Sequence, residues 1–137
     1  MRKKVLFIAP VILMLLSFTP DKSYKDGVYC GKSRADYTRE PYYGCAKITI
    51  ENGKIVKVDF SVRDSAKQVD FDDQYEKYFT GNPQYIQQCR NDRKGVKTYP
   101  ARLLKKQDVD QVDAISGATW SCNLFKASVK EALSSAK

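Results

Sequence analysis

Residues 44–62 read GCAKITIENGKIVKVDFSV. Ala46, Ile48 and Ile50 alternate with polar neighbours, and Val56, Val58, Phe60 and Val62 do the same beyond the turn residues Glu51, Asn52 and Gly53. Period-two alternation on both sides of an Asn-Gly pair is the pattern of a β-hairpin with one buried face. A two-residue Asn-Gly turn would set Ile48 opposite Lys57 and throw the two apolar faces to opposite sides. A three-residue loop with Gly53 in the left-handed conformation sets Ile48 opposite Val56 and Ala46 opposite Val58, so both faces agree. The second register is the expected one.

Working outward, residues 26–33, DGVYCGKS, predict a short strand, and 34–43, RADYTREPYY, a polar loop. From Gln68 to Phe79 the aromatics Phe71, Tyr75, Tyr78 and Phe79 recur at helical intervals, and the Thr80-Gly81-Asn82-Pro83 cluster stops that helix. A stripe of this kind is a core face. A short helix is expected from Pro83 to Cys89, a polar turn over 91–95, NDRKG, and a further helical turn over 99–107. After an extended stretch a final helix runs to Ala136, with Leu124, Phe125, Val129, Ala132, Leu133 and Ala136 on one face and Lys126 and Lys130 on another. The expected class is α+β: a small antiparallel sheet packed against three or four helices in a single domain, residues 21–137.

The 137 residues include 24 Lys plus Arg, 16 Asp plus Glu, four Cys and no His. Without histidine there is no Ser-His-Asp or Cys-His couple, no mixed Cys/His zinc site and no haem attachment sequence, which argues against an orthodox hydrolase. The cysteines stand at 30, 45, 89 and 122, with no C-x-x-C pair for a zinc ribbon, an iron–sulfur cluster or a thioredoxin-type dithiol. No metal is expected. Arg2, Lys3 and Lys4 precede an uncharged run from Val5 to Phe18, the layout of a signal peptide or, uncleaved, of an N-terminal anchor in residues 1–20. Fourteen residues are short of the roughly 20 that a membrane span needs, which favours cleavage. The expected location is therefore extracytoplasmic. There four cysteines suffice for two disulfides, and Cys30 with Cys45, on neighbouring strands, is the expected pair. Without the three cations of residues 2–4, 21 positive charges face 16 negative ones, a scattered +5 that suggests no nucleic-acid partner.

Residues 113–122, DAISGATWSC, put a turn of small residues directly before the last helix. Its hydroxyls and free backbone N–H groups would converge on the positive end of a helix dipole, a natural anion site. Ser, Thr and Asp are also ordinary helix caps, and Gly is ordinary in a turn. The residues alone leave both readings open. For Trp120 the alternatives are a core role and stacking on a flat ring; for Ser121, capping the helix and bonding a phosphate.

The run Asp113 to Thr119, together with the hairpin, the opening YKDGVYCG and the Ala-rich last helix, resembles the FMN-binding domain family. That family occurs in subunits of the sodium-pumping quinone reductase and Rnf complexes and in small exported flavoproteins. The resemblance extends from about Tyr24 to Ala136. It implies that D-x-x-S/T-G-A-T is a flavinylation sequence, whose last residue, Thr119, carries FMN through a phosphoester bond. It also implies a separate flavin transferase, using FAD and magnesium and releasing AMP, because this chain has no histidine to deprotonate the threonine. Asp113, Ser116, Gly117 and Ala118 would be recognition and turn residues. The implied function is an electron carrier between a membrane-bound redox partner and an extracytoplasmic acceptor. The alternatives are a non-covalent FMN-binding accessory domain and a flavin-free exported structural domain.

Overall fold

A computed structural model describes residues 23–33 and 40–137. The expected export segment, residues 1–20, lies outside the described residues, as does most of the loop after residue 33. Four strands, β1 (Gly27–Lys32), β2 (Tyr42–Glu51), β3 (Lys54–Asp64) and β4 (Val69–Asp70), form one antiparallel sheet in the order β1-β2-β3-β4. Two α-helices, α1 (Pro83–Lys106) and α2 (Thr119–Ser134), pack against each other and against one face of it, α2 across β1 and β2 and α1 across β3. This is the expected α+β class, with two helices in place of three or four.

The hairpin keeps the expected agreement of faces but reaches it differently. Glu51 pairs with Lys54 across a two-residue turn, with Asn52 and Gly53 at φ 52° and 73°. Ile50 then pairs with Ile55, but Thr49 pairs with Lys57, so Val56 is an extra residue in β3. That bulge puts Ile48 opposite Val58 and Ala46 opposite Phe60, and it leaves Val56 45% exposed. Burying both faces is a demand on register, and a bulge met it while the preferred turn was kept. On the outer edge of β3, the Gln107 side chain bonds the Ile55 N–H at 2.9 Å and its carbonyl at 2.8 Å, standing in for a neighbouring strand.

Two helical expectations are corrected. Residues 68–79 hold β4 and a 3-10 turn (Tyr75–Phe79), although Phe71 and Tyr75 are core as expected. Residues 83–106 are one continuous helix, without a break at 91–95 or at Pro100. Polar residues read as a turn are held by tertiary partners: Arg93 donates to the carbonyls of Asp72 and Asp73, and Asp92 accepts from Ser121; just before them Arg90 forks onto Glu76. Asn82 caps α1 by accepting from the Tyr85 N–H, with Pro83 following at the first helical position.

The expected Cys30–Cys45 bridge is absent, and all four cysteines are free. Cys30 faces Lys47 and Cys45 faces Lys32, so the two thiols are diagonal neighbours on β1 and β2 rather than opposite one another. Diagonal Cα atoms lie about 7–8 Å apart, beyond the usual disulfide span of about 4.4–6.8 Å.

Candidate functional site

The segment 113–121 is held along its length by one face of α1. Arg102 Nη1 donates to the Asp113 carbonyl at 2.7 Å. The Tyr99 hydroxyl accepts from the Ile115 N–H at 3.1 Å and donates to the Ala118 carbonyl at 2.8 Å. One to two turns earlier, Gly95 admits the segment at close range, since a Cβ there would lie 2.7 Å from Ser121 Oγ and 2.9 Å from the Ala118 side chain. Asp92 Oδ1 accepts from the Ser121 N–H at 3.1 Å and from its hydroxyl at 2.8 Å. Gln88 Nε2 donates to Asp92 Oδ2 at 2.7 Å and to the Gly117 carbonyl at 2.9 Å. Positions 88, 92, 95, 99 and 102 recur every three or four residues, which is a single helical face. That spacing was the available signal, and reading 91–95 as a turn concealed it.

Within the segment, the Ala118 N–H returns to the Ile115 carbonyl at 2.9 Å, closing a tight turn with Gly117 at φ 80°. Ala118 is the N-cap of α2 and supplies no side-chain cap. Asp92 performs that task from α1, taking the third N–H of α2 as a capping carboxylate would. The inner side of the terminus expected to receive a phosphate therefore receives a buried carboxylate.

The candidate residues divide accordingly. Ala118 and Ser121 are fully buried, and Ser121 does not itself cap the helix: its N–H and hydroxyl both donate to Asp92, which does. Asp113, Ser116, Gly117 and Thr119 are exposed, with Thr119 the first residue of α2. Trp120, half-buried, lines a cleft of about 350 Å³ beside it, together with Tyr42, Phe71, Phe79, Tyr85 and Cys89. Trp120 stands edge-on to Tyr42 and Phe71, at 5.2 and 5.4 Å between ring centroids, and its Nε1 is buried with no hydrogen-bond partner. Phe79 and Tyr85 stack on each other at 5.6 Å.

Behind the cleft, Tyr75 donates to the buried Asp64 at 2.5 Å, and the Tyr42 hydroxyl lies 2.8 Å from that of Tyr75. With its own proton committed to Asp64, Tyr75 accepts from Tyr42. Burial and the bond to Asp64 push the Tyr75 hydroxyl far above its ordinary range. Burial also pushes the Asp64 carboxyl upward, but Tyr75 and the N–H groups of Lys67 and Ala66 outweigh it and hold the group below the usual value. Burial raises the Cys89 thiol as well. The aromatic wall and the buried aspartates were invisible at the level of motifs, since they come from β2, β3, the 68–79 segment, α1 and α2.

Compared with known proteins, residues 45–134 match the family model of the FMN-binding domain. The fold is similar to the crystal structure of a Clostridium perfringens protein, 24% identical over 82% of this chain and 88% of that one, with a TM-score of 0.62. A Clostridium thermocellum protein solved by NMR is also similar, 24% identical over 81% of this chain and 91% of that one, at a TM-score of 0.49. The first of these is a likeness of fold alone. No curated protein matches the chain.

Proposed function

The chain belongs to the FMN-binding domain family, and from that premise we propose that it is an exported flavoprotein carrying FMN on Thr119 through a phosphoester bond. The observation that carries this reading is the juxtaposition at the start of α2: an exposed threonine hydroxyl next in sequence to a tryptophan that lines an aromatic cleft. The residues present fit a flat, polar-edged ring. Trp120, Tyr42 and Phe71 offer aromatic surface, and the unpartnered Trp120 N–H is a donor awaiting an acceptor. When bound, FMN supplies reversible one- and two-electron transfer.

This chain's own residues bind, orient and shield. Gly117 makes the turn, Ala118 fills the space beneath it, and Asp113 and Ser116 are exposed where a transferase can read them. Forming the bond joins Thr119 Oγ1 to phosphorus as the bond to AMP breaks, and the hydroxyl proton needs a base. The chain has no histidine for that role, and Asp92 is engaged with Ser121, so a separate flavin transferase supplies the base. Residues 1–20 have the layout of an export signal, and a covalent tether suits an extracytoplasmic carrier, whose free cofactor would be diluted away. The redox partner on this reading is membrane-bound.

The test is co-expression with a competent transferase, followed by denaturing electrophoresis and mass spectrometry. The parent chain is expected to gain one FMN and fluoresce in the gel, and Thr119→Val to fold but stay dark. Flavin that is released on denaturation would favour non-covalent binding; a labelled Thr119→Val would move the site to Ser116.

A further inference from the structure

Resting on the reading of Thr119 as the acceptor, we propose that Asp92, assisted by Gln88, is the positioning residue that presents Thr119 for modification and withholds Ser121. The two α1 side chains grip the segment on either side of the acceptor. Gln88 holds the Gly117 carbonyl, and Asp92 holds both the Ser121 N–H and its hydroxyl. Gln88 also bonds Asp92, so the two grips are one unit. Between them Thr119 is exposed.

Local structure does not supply this order. Ala118 gives α2 no side-chain cap, and an uncapped first turn frays, which would release Thr119 from its helical conformation. The same contacts sort the hydroxyls: Ser121 is fully buried against Asp92, whereas Thr119 faces outward. Asp92 is itself buried, and among the described residues its bonding partners are the neutral groups of Gln88 and Ser121. A buried carboxylate without a cation is a poor source of stability, and its placement at the positive end of α2 is what makes it tolerable.

The experiment measures transfer from FAD to the full-length chain by a purified transferase, with acceptor concentration varied, alongside hydrogen exchange at the Ser121 amide. Asp92→Ala is expected to lower kcat/KM for labelling at least tenfold, as misplacement of a reacting group does, and to speed exchange at Ser121. Asp92→Asn, which keeps an acceptor oxygen for Ser121, is expected to recover most of the rate. Asp92→Ala that is folded, labelled at the parental rate and unchanged in exchange overturns the proposal. If Asp92→Ala does not fold, Gln88→Leu decides, because it frees Gly117 while leaving the cap: slower labelling supports the proposal and the parental rate overturns it. If the parent chain itself stays unlabelled, the covalent reading falls. The exchange measurement then still decides whether Asp92 orders the segment, and unchanged exchange in the variants overturns it.

Discussion

Gly117 is held in a conformation that other residues adopt only under strain, at φ 80°, with the Asn91 amide 2.8 Å from where a Cβ would stand. Gly117→Ala should therefore cost about 1–3 kcal/mol, measured by urea unfolding. Asp64 gives a second prediction at this scale. Its carboxyl, held below the ordinary value mainly by the Tyr75 hydroxyl against the cost of burial, binds protons more weakly in the folded chain than in the unfolded one. The stabilisation is present above the ordinary carboxylate value of about 3.9 and is lost as pH falls through the lower folded value. Tyr75→Phe removes that hydrogen bond, so the acid unfolding midpoint, followed by circular dichroism, should move to higher pH.

Among elements, the hairpin allows a direct comparison of the expected and observed registers. With a three-residue loop Val56 would be a core residue, whereas in the bulge it is 45% exposed and Ile48 is fully buried. Val56→Thr should change stability by no more than about 0.5 kcal/mol, and Ile48→Ala should cost about 2–5 kcal/mol, compared by chemical denaturation. The alternation of residues 44–62 made both strands and the shared face legible. The bulge breaks that alternation in β3, where Ile55 and Val58 are buried with two exposed residues between them, and its trace in the sequence, the adjacent apolar pair Ile55 and Val56, fits either register by itself. The error in α1 has a different origin. Asn91, Asp92 and Gly95 are turn formers by local preference, but Tyr99 and Leu103 beyond them are fully buried, and the helix persists because its faces are occupied by tertiary partners.

Across the whole molecule, the buried residues form two clusters: one around Tyr99 and Phe125 beneath the sheet, the other of Phe71, Tyr75, Cys89 and Leu124 behind the aromatic cleft. Cys89 and Cys122 fall in different clusters, and Cys30 and Cys45 are diagonal on the opposite face. Four thiols should therefore titrate in denatured, unreduced protein, and reductant should leave the melting temperature unchanged. Hairpin and final helix are local patterns, with periodicities carried by contiguous residues, and so the sequence by itself determined the α+β class; the run from Asp113 to Thr119 is equally local, and its resemblance to the family's motif is what implied Thr119 as the acceptor. The cleft of Tyr42, Phe71 and Trp120 and the grip of Gln88 and Asp92 join residues about 30 to 80 positions apart. Only tertiary structure decided those, because a contact between distant positions has no local period to announce it, and which helical face meets the segment depends on how α1 crosses the sheet.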